Sequence, residues 1–278
     1  MKTKMIRRIT VTSIVAATMA LGSCQRERLD SDFTTASNQA FADESYNDVN
    51  NIADEAALTG AVFYKTEVEN SLLAGCAVVT RDTISIPHVT TIDFGSGCTG
   101  IDGKTRRGII VVTHDGHYRQ AETTVTITFN NYYVNDNQVI GTKTIHNDGV
   151  NGNGNFVFTI TVNGQIILSN GGGTINWTSQ RVREWIAGES TPSRDDDQYS
   201  ITGLASGTAA NGELFTATIV DPLIRNIAPG CRRHFVSGTV LIQRSGKSDK
   251  VIDFGSGTCD NLATVTINGV TRTITLRH

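Results

Sequence analysis

An alternation of apolar and polar residues, running from about residue 60 to the end of the chain, constrains the fold more than any other feature. It is clearest in residues 124–129, 156–162, 264–267 and 273–276, where Thr alternates with Val, Ile, Leu or Phe. When the pattern repeats every two residues, one side chain points toward the core and the next toward solvent, as in a half-buried β-strand. The pattern therefore predicts an all-β domain over residues 60–278.

Turn dipeptides divide this region into short strands. They are Asp115-Gly116, Asn163-Gly164, Asn211-Gly212 and Asn268-Gly269, all of which tolerate the positive φ of a two-residue hairpin. Connections this short require antiparallel pairing. Roughly a dozen strands are too many for one flat sheet, so we predict an antiparallel multi-stranded sandwich or an elongated two-layer meander.

One helix is predicted before the strands, over residues 35–59. Phe41, Val49, Ile52, Ala53 and Ala56 recur at intervals near 3.6, and the segment contains neither Gly nor Pro. The narrow apolar face indicates an amphipathic helix. We expect this face to pack on the sheet, in preference to binding a partner.

The first 23 residues have the pattern of a bacterial signal peptide. Four Lys or Arg residues precede an apolar stretch over residues 9–21, which is too short to span a bilayer. Leu21-Gly22-Ser23 then leads into Cys24, as at the cleavage site of a lipoprotein. We predict a signal peptide over residues 1–23, lipidation of Cys24 and a tether over residues 24–34. The alternative is an ordinary signal peptide with a cysteine near its cleavage site.

The acyl chains on Cys24 would anchor the protein in a lipid bilayer of the cell envelope, so this bilayer is its predicted partner. Gln25, with no Asp directly after Cys24, is typical of passage to the outer membrane. The sequence leaves open whether the domain faces the periplasm or the cell surface.

The charge of the mature chain excludes one class of partner. Removal of residues 1–23 takes four of the 24 Lys and Arg residues and none of the 27 Asp and Glu residues, which leaves a net charge of −7. An acidic chain is a poor ligand for nucleic acid. No cofactor is expected.

The remaining four cysteines predict two disulfides in an oxidising compartment. TIDFGSGC at 91–98 recurs as VIDFGSGTC at 251–259, and each copy follows an earlier cysteine. We therefore expect pairing of Cys76 with Cys98 and of Cys231 with Cys259, in pseudo-repeated ends at about 76–115 and 231–278. The alternative is free, buried cysteines.

These motifs resemble those of a group of cell-envelope lipoproteins from Bacteroidetes-type bacteria. The resemblance is carried by the lipidation motif, by YNDVNNIADEAA, by IDFGSGCTG with DGKTRRGIIVV, by TSQRVREW and by IDFGSGTCDNLATVTINGVTRTITL. It covers most of the mature chain and implies a cell-envelope setting. The group has no assigned activity, so the resemblance implies no catalytic residue.

Two sets of residues are candidates for a site. His114 and His117 flank the Asp115-Gly116 turn, where they could share Zn²⁺ or Cu²⁺ with a third ligand, although no third ligand is evident and a solvated hairpin tip is the alternative. Aromatic side chains could bind a glycan, a peptide or an envelope protein, with membership of the core as the alternative. The aromatic candidates are Trp177, Trp185, Tyr132 and Tyr133.

The sequence favours a non-catalytic binding or structural protein over an enzyme. The competing interpretation is an envelope hydrolase whose carboxylates are distant in sequence and gathered by the fold. An enzyme would show a cleft with convergent acids, whereas a binding protein would show an exposed patch.

Overall fold

A computed structural model describes residues 32–58, 72–73, 77–82, 84–116, 120–191, 193–232 and 234–276. Within these ranges the chain forms one helix and fourteen strands. They are α1 (Thr34–Leu58), β1 (Val78–Asp82), β2 (His88–Asp93), β3 (Cys98–Thr99), β4 (Thr105–His114), β5 (Thr124–Val134), β6 (Asn137–Val150), β7 (Phe156–Ile167), β8 (Thr174–Ala187), β9 (Gln198–Thr208), β10 (Leu214–Asn226), β11 (Phe235–Gln243), β12 (Lys250–Ser256), β13 (Leu262–Ile267) and β14 (Val270–Thr275).

The strands form one antiparallel sheet in which spatial order follows the order in sequence. Each strand pairs with the next along the chain, except that β2 pairs with β4 and the short β3 pairs with β4 alone. The predictions of an antiparallel all-β fold and of one N-terminal helix are thus confirmed. The helix bounds differ from the expected 35–59 by a single residue at each end.

The sheet folds back on itself and encloses α1. Glu44, in the helix, lies 3.4 Å from Nζ of Lys104, just before β4, and 3.3 Å from Nδ1 of His234, just before β11. Six strands separate β4 from β11 along the sheet. Contact of one helical side chain with residues next to two such distant strands requires the sheet to curve until the starts of β4 and β11 come close together.

The helix is buried around its whole circumference over residues 48–56, so its burial extends beyond the apolar face that we expected to pack on the sheet. Every residue from Asp48 to Ala56 is buried, although consecutive helical residues point in different directions. The apolar pattern gave no sign that the polar side chains would be buried as well. Polar side chains of α1 are instead accommodated by polar partners on the inner face of the sheet.

Opposite charges face each other in this interior. An ionised group is costly to bury unless it is paired and hydrogen-bonded, and the enclosed helix is acidic while the inner face of the sheet is basic. The buried acids of α1 are Asp43, Glu44, Asp48, Asp54 and Glu55, and the buried basic residues of the strands and loops include Lys104, Arg106, Lys143, Arg181, Arg183, Arg225 and Lys250.

The turn predictions have mixed outcomes. Asn268-Gly269 forms the two-residue β13–β14 loop, with φ values of 51° and 76°, and Asn211-Gly212 lies in the turn between β9 and β10. Asn163-Gly164 lies inside β7, so its assignment as a turn is wrong. Asp115-Gly116 begins a connection that continues to Thr123, which is longer than the two-residue turn that we expected.

One predicted disulfide is confirmed, between Cys231 and Cys259, which are 28 residues apart. Cys98 is also disulfide-bonded, and its expected partner Cys76 lies outside the described residues. The signal peptide, Cys24 and the tether up to residue 31 lie outside them as well. Among the described residues, no helix has the length and apolar character needed to cross a membrane.

The repeated IDFGSG segments share one hydrogen bond and a pattern of burial. The carboxylate of Asp93 accepts a hydrogen bond from the backbone N–H of Gly95 at 2.7 Å, and that of Asp253 accepts one from Gly255 at 2.8 Å. Asp93 therefore stabilises the bend that follows β2, whereas Asp253 and Gly255 lie inside β12, near its end. The preceding and following apolar residues are buried in both copies, namely Ile92 and Phe94 in the first and Ile252 and Phe254 in the second.

Candidate functional site

A row of glycines crosses the middle of the sheet on its inner face. Gly141 in β6 is paired with Gly164 in β7, which is paired with Trp177 in β8. Trp177 is paired in turn with Gly207 in β9, and Gly207 with Phe215 in β10. Three of five consecutive positions in this row thus have no side chain, and the two that remain carry large aromatic rings.

The absence of side chains lets the helix approach the sheet closely. A Cβ atom at Gly164 would overlap the hydroxyl of Tyr46 in α1, and one at Gly141, whose φ is +115°, would overlap the backbone of Asn163. A residue other than glycine would push the helix and the sheet apart at this point. Gly164 is therefore a packing residue, which explains why Asn163-Gly164 is not a turn.

Tyr46 and Trp177 support the row from inside. Their rings are stacked, with centroids 5.5 Å apart and planes inclined by 8°. The Tyr46 hydroxyl donates to the carbonyl of Ile140 at 2.8 Å, and the Trp177 Nε1–H donates to Oε1 of Gln39 at 2.7 Å. Burial raises the pKa of Tyr46, so this hydroxyl remains a donor at neutral pH.

The outer surface over this row is a shallow groove of about 940 Å³. Its walls are two rows of outward-facing side chains, on either side of the glycine row. One contains Thr142, Asn163, Thr178, Ser206, Thr216 and Gln243, and the other contains Gln165, Asn176, Thr208 and Leu214.

The groove is lined by hydroxyl and amide groups. Gln165 Nε2 donates to Asn176 Oδ1 at 2.8 Å, and the hydroxyls of Thr178 and Ser206 are 3.0 Å apart. The described lining contains no Asp, Glu or His, and its one charged residue, Arg244, donates to Oε2 of Glu213 at 3.1 Å. The groove can form many hydrogen bonds, but it presents no general acid or base.

The buried carboxylates lie on the other side of the sheet and are held by cations. Arg106 Nη2 lies 2.9 Å from both oxygens of Asp48, and its Nη1 lies 3.0 Å from Oδ1 of Asp102. Burial raises the pKa of Asp48, but the charges of Lys104 and Arg106 outweigh it, and the net pKa is below the ordinary value. This carboxylate is therefore ionised and committed to structural ion pairs.

The pKa of Asp43 is set by the same two opposing effects as that of Asp48, burial and neighbouring cations, but here burial is the stronger. Its Oδ2 accepts hydrogen bonds from Arg181 at 3.0 Å and from Gln39 at 2.7 Å. Burial nevertheless dominates and raises the pKa of Asp43. Since both partners and the carboxylate are buried, no substrate could reach this group without displacement of the helix.

Three of the four aromatic candidates belong to the core. Trp177, Trp185 and Tyr132 are 2%, 3% and 0% exposed, so they do not present a surface to an external ligand, and the core alternative is correct for them. Tyr133 is partly exposed, but the Arg107 guanidinium lies 3.4 Å from the centre of its ring. The structure does not bring the four together into a patch.

Only one member of the proposed histidine pair lies in the described part of the chain, so the pair stays a prediction. His114 is paired in register with His88 of β2, their rings 5.1 Å apart, and its Nδ1 lies 2.6 Å from the carbonyl of Gly116. His117 lies outside the described residues. In the described part of the chain, no group of three or more His, Cys, Asp or Glu is placed to hold a metal ion.

Sequence reasoning missed the groove because its residues lie on six strands and become neighbours only through the register. A usable signal was present in Gly141, Gly164 and Gly207, each inside a Thr-rich alternating segment. A glycine inside a strand marks a bend or a close approach of another backbone. No protein-family model, curated protein or solved structure matches this chain.

Proposed function

We propose that this protein is a cell-envelope lipoprotein, anchored in the outer membrane through acylated Cys24, whose β domain binds another envelope component without catalysis. The signal-peptide pattern of residues 1–23 and the small residues before Cys24 support the anchor. The groove over the glycine row supports the binding role. It combines a broad polar surface with the absence of acid–base residues from its described lining.

This groove favours binding over hydrolysis. A hydrolase that works with carboxylates needs them in a cleft that the substrate can enter. Asp48 and Asp43 are buried inside the sheet and are paired with Arg106 and Arg181, whereas the groove faces outward. The observation that carries the proposal is therefore the separation of these buried carboxylates from the accessible groove.

The anchor is tested by metabolic labelling with an alkyne analogue of palmitate. We expect label on the wild-type chain and none on the Cys24→Ser variant, which should also leave the detergent phase in a detergent-partition experiment. A Cys76→Ser variant serves as the control for loss of a cysteine elsewhere. Equal labelling of the Cys24→Ser variant and the wild type would contradict the anchor.

The binding role is tested with the detergent-solubilised full chain and a solubilised envelope fraction. Thr178→Arg places a long cation in the groove, and Gln180→Arg places the same group two residues along β8, outside the groove. We expect Thr178→Arg alone to lose the bound envelope polysaccharide or protein. Equal retention by both variants would count against the groove, and groove-dependent release of cleaved product would favour the hydrolase.

A further inference from the structure

The side chains that line the groove indicate which class of ligand it binds. This inference rests on the proposed binding function. Apart from Leu214, the two walls of the groove consist of hydroxyl and carboxamide side chains, each of which can both donate and accept hydrogen bonds. Leu214, with 72% of its surface exposed, adds an apolar contact at one end of the lining.

Charged polymers are disfavoured because the described lining offers no free counter-charge. Arg244 is only 6% exposed, and its guanidinium binds Glu213 and the carbonyl of Ser248. A polyanion needs accessible Lys or Arg to replace its counterions, and a polycation needs accessible carboxylates. The described walls have neither.

An extended peptide is disfavoured for a different reason. Peptides bind to sheets mainly by adding a strand at a free edge, where backbone N–H and C=O groups are unpaired. The groove lies on the face of β6–β11, and each of these strands is paired on both sides. Its polar walls also lack the apolar pockets that hold peptide side chains.

We propose that the groove binds an uncharged glycan chain lying across β6–β10. Sugar hydroxyls donate and accept like the groups that line the groove, so one chain can satisfy several of them at once. Five adjacent strands span about 19 Å, since neighbouring strands are about 4.8 Å apart. The volume of about 940 Å³ is at the upper end of the range for ligand sites, roughly 300–1,000 Å³. Several sugar units therefore fit.

The test is calorimetric titration of the detergent-solubilised full chain with three sets of probes. They are uncharged oligosaccharides of glucose, mannose or xylose, acidic oligosaccharides of galacturonate, and extended peptides of mixed sequence. The groove variant is Asn163→Ala with Asn176→Ala, which removes one amide from each wall. The matched control is Thr161→Ala with Gln180→Ala, at exposed positions of the same two strands outside the lining.

We expect at least one uncharged oligosaccharide to bind, and the groove variant to bind it about tenfold more weakly, as two lost hydrogen bonds imply. The control should stay within about twofold of the wild type. If galacturonate or peptide binds in the groove and the uncharged oligosaccharides do not, the proposal of an uncharged glycan is wrong, but the proposed binding function still holds. Absence of groove-dependent binding in all three sets would overturn both.

Discussion

The side-chain nitrogen of Lys143 donates a hydrogen bond to the backbone carbonyl of Tyr46, with Nζ and O 2.9 Å apart, and joins β6 to the middle of the enclosed helix. Both residues are almost completely buried. Burial lowers the pKa of Lys143 to about 7, with a further decrease from Arg183 and an opposing increase from Asp54. The amine thus titrates near neutral pH in the folded protein.

Lys143 should make the stability of the protein depend on pH. Below about pH 7 the amine is charged in both states, and the cost of its burial is fully present. Between about pH 7 and the ordinary pKa of lysine, the unfolded chain binds more protons than the folded chain does. The free energy of unfolding should therefore rise with pH by about 1.4 kcal/mol per pH unit. We expect Lys143→Met to flatten this slope in urea unfolding between pH 7.5 and 9.5.

Lys143→Arg provides the matching control, because guanidinium stays protonated throughout this range. It should flatten the slope as Lys143→Met does, but it should lower stability by retaining a buried charge. A wild-type slope in both variants would show that another group is responsible.

Loss of Arg106 should destabilise the protein strongly. Its guanidinium is fully buried between Asp48 and Asp102. Arg106→Met therefore removes the cation that both buried carboxylates share. We expect a decrease of about 3–5 kcal/mol in the free energy of unfolding, measured with urea. Arg107→Met, at the next position of β4, removes an exposed pair with Asp136 and should cost less than about 1 kcal/mol. Similar losses in the two variants would refute this assignment.

Gly164→Ala should disturb the contact between α1 and the sheet. The new methyl group would overlap the hydroxyl of Tyr46, and the displacement should lower stability by about 1–3 kcal/mol, as overpacking of a core does. Gly152→Ala, where a methyl group would meet open space, is the control and should leave the melting temperature close to that of the wild type. An unchanged melting temperature in Gly164→Ala would mean that the helix is less closely packed than described.

Removal of the Cys231–Cys259 disulfide should destabilise the fold, because the unfolded chain gains conformational entropy when it is no longer cross-linked. The bond closes a loop over a separation of 28 residues, for which the chain-entropy model gives about 3–4 kcal/mol. We expect Cys231→Ser with Cys259→Ser to lose this amount in urea unfolding under oxidising conditions. Added reductant should then lower the stability of the wild type more than that of the variant, and an equal response would contradict the prediction.

Local features of the fold were predictable from sequence because they depend on neighbouring residues. The period-two pattern located the strands, the Cys231 and Cys259 repeat context identified their disulfide, and Asn268-Gly269 gave a correct turn. Asn135-Asp136 also forms a two-residue hairpin, with φ values of 47° and 62°. It was not predicted because it contains no glycine.

The interior and the groove could not be predicted because both depend on register between distant segments. Nothing near Asp48 indicates that Arg106 will pair with it, and polar residues on a helix are usually exposed. Likewise, Thr142, Asn163 and Thr178 read as ordinary outward positions of separate strands. They form one wall only when β6, β7 and β8 are aligned.

The enclosed helix precedes every strand in the sequence, and this order bears on how the chain folds. The hydroxyl of Thr35 is 2.9 Å from the amine of Lys250, a contact between residues 215 positions apart. The helix cannot be fully surrounded until β12 has joined the sheet, and contacts of such long range make folding slow. An apolar helix would be prone to aggregate during that interval. The charged surface of α1 can remain hydrated until the sheet closes around it, so the same residues that pair inside the finished protein also keep its first element in solution while the rest assembles.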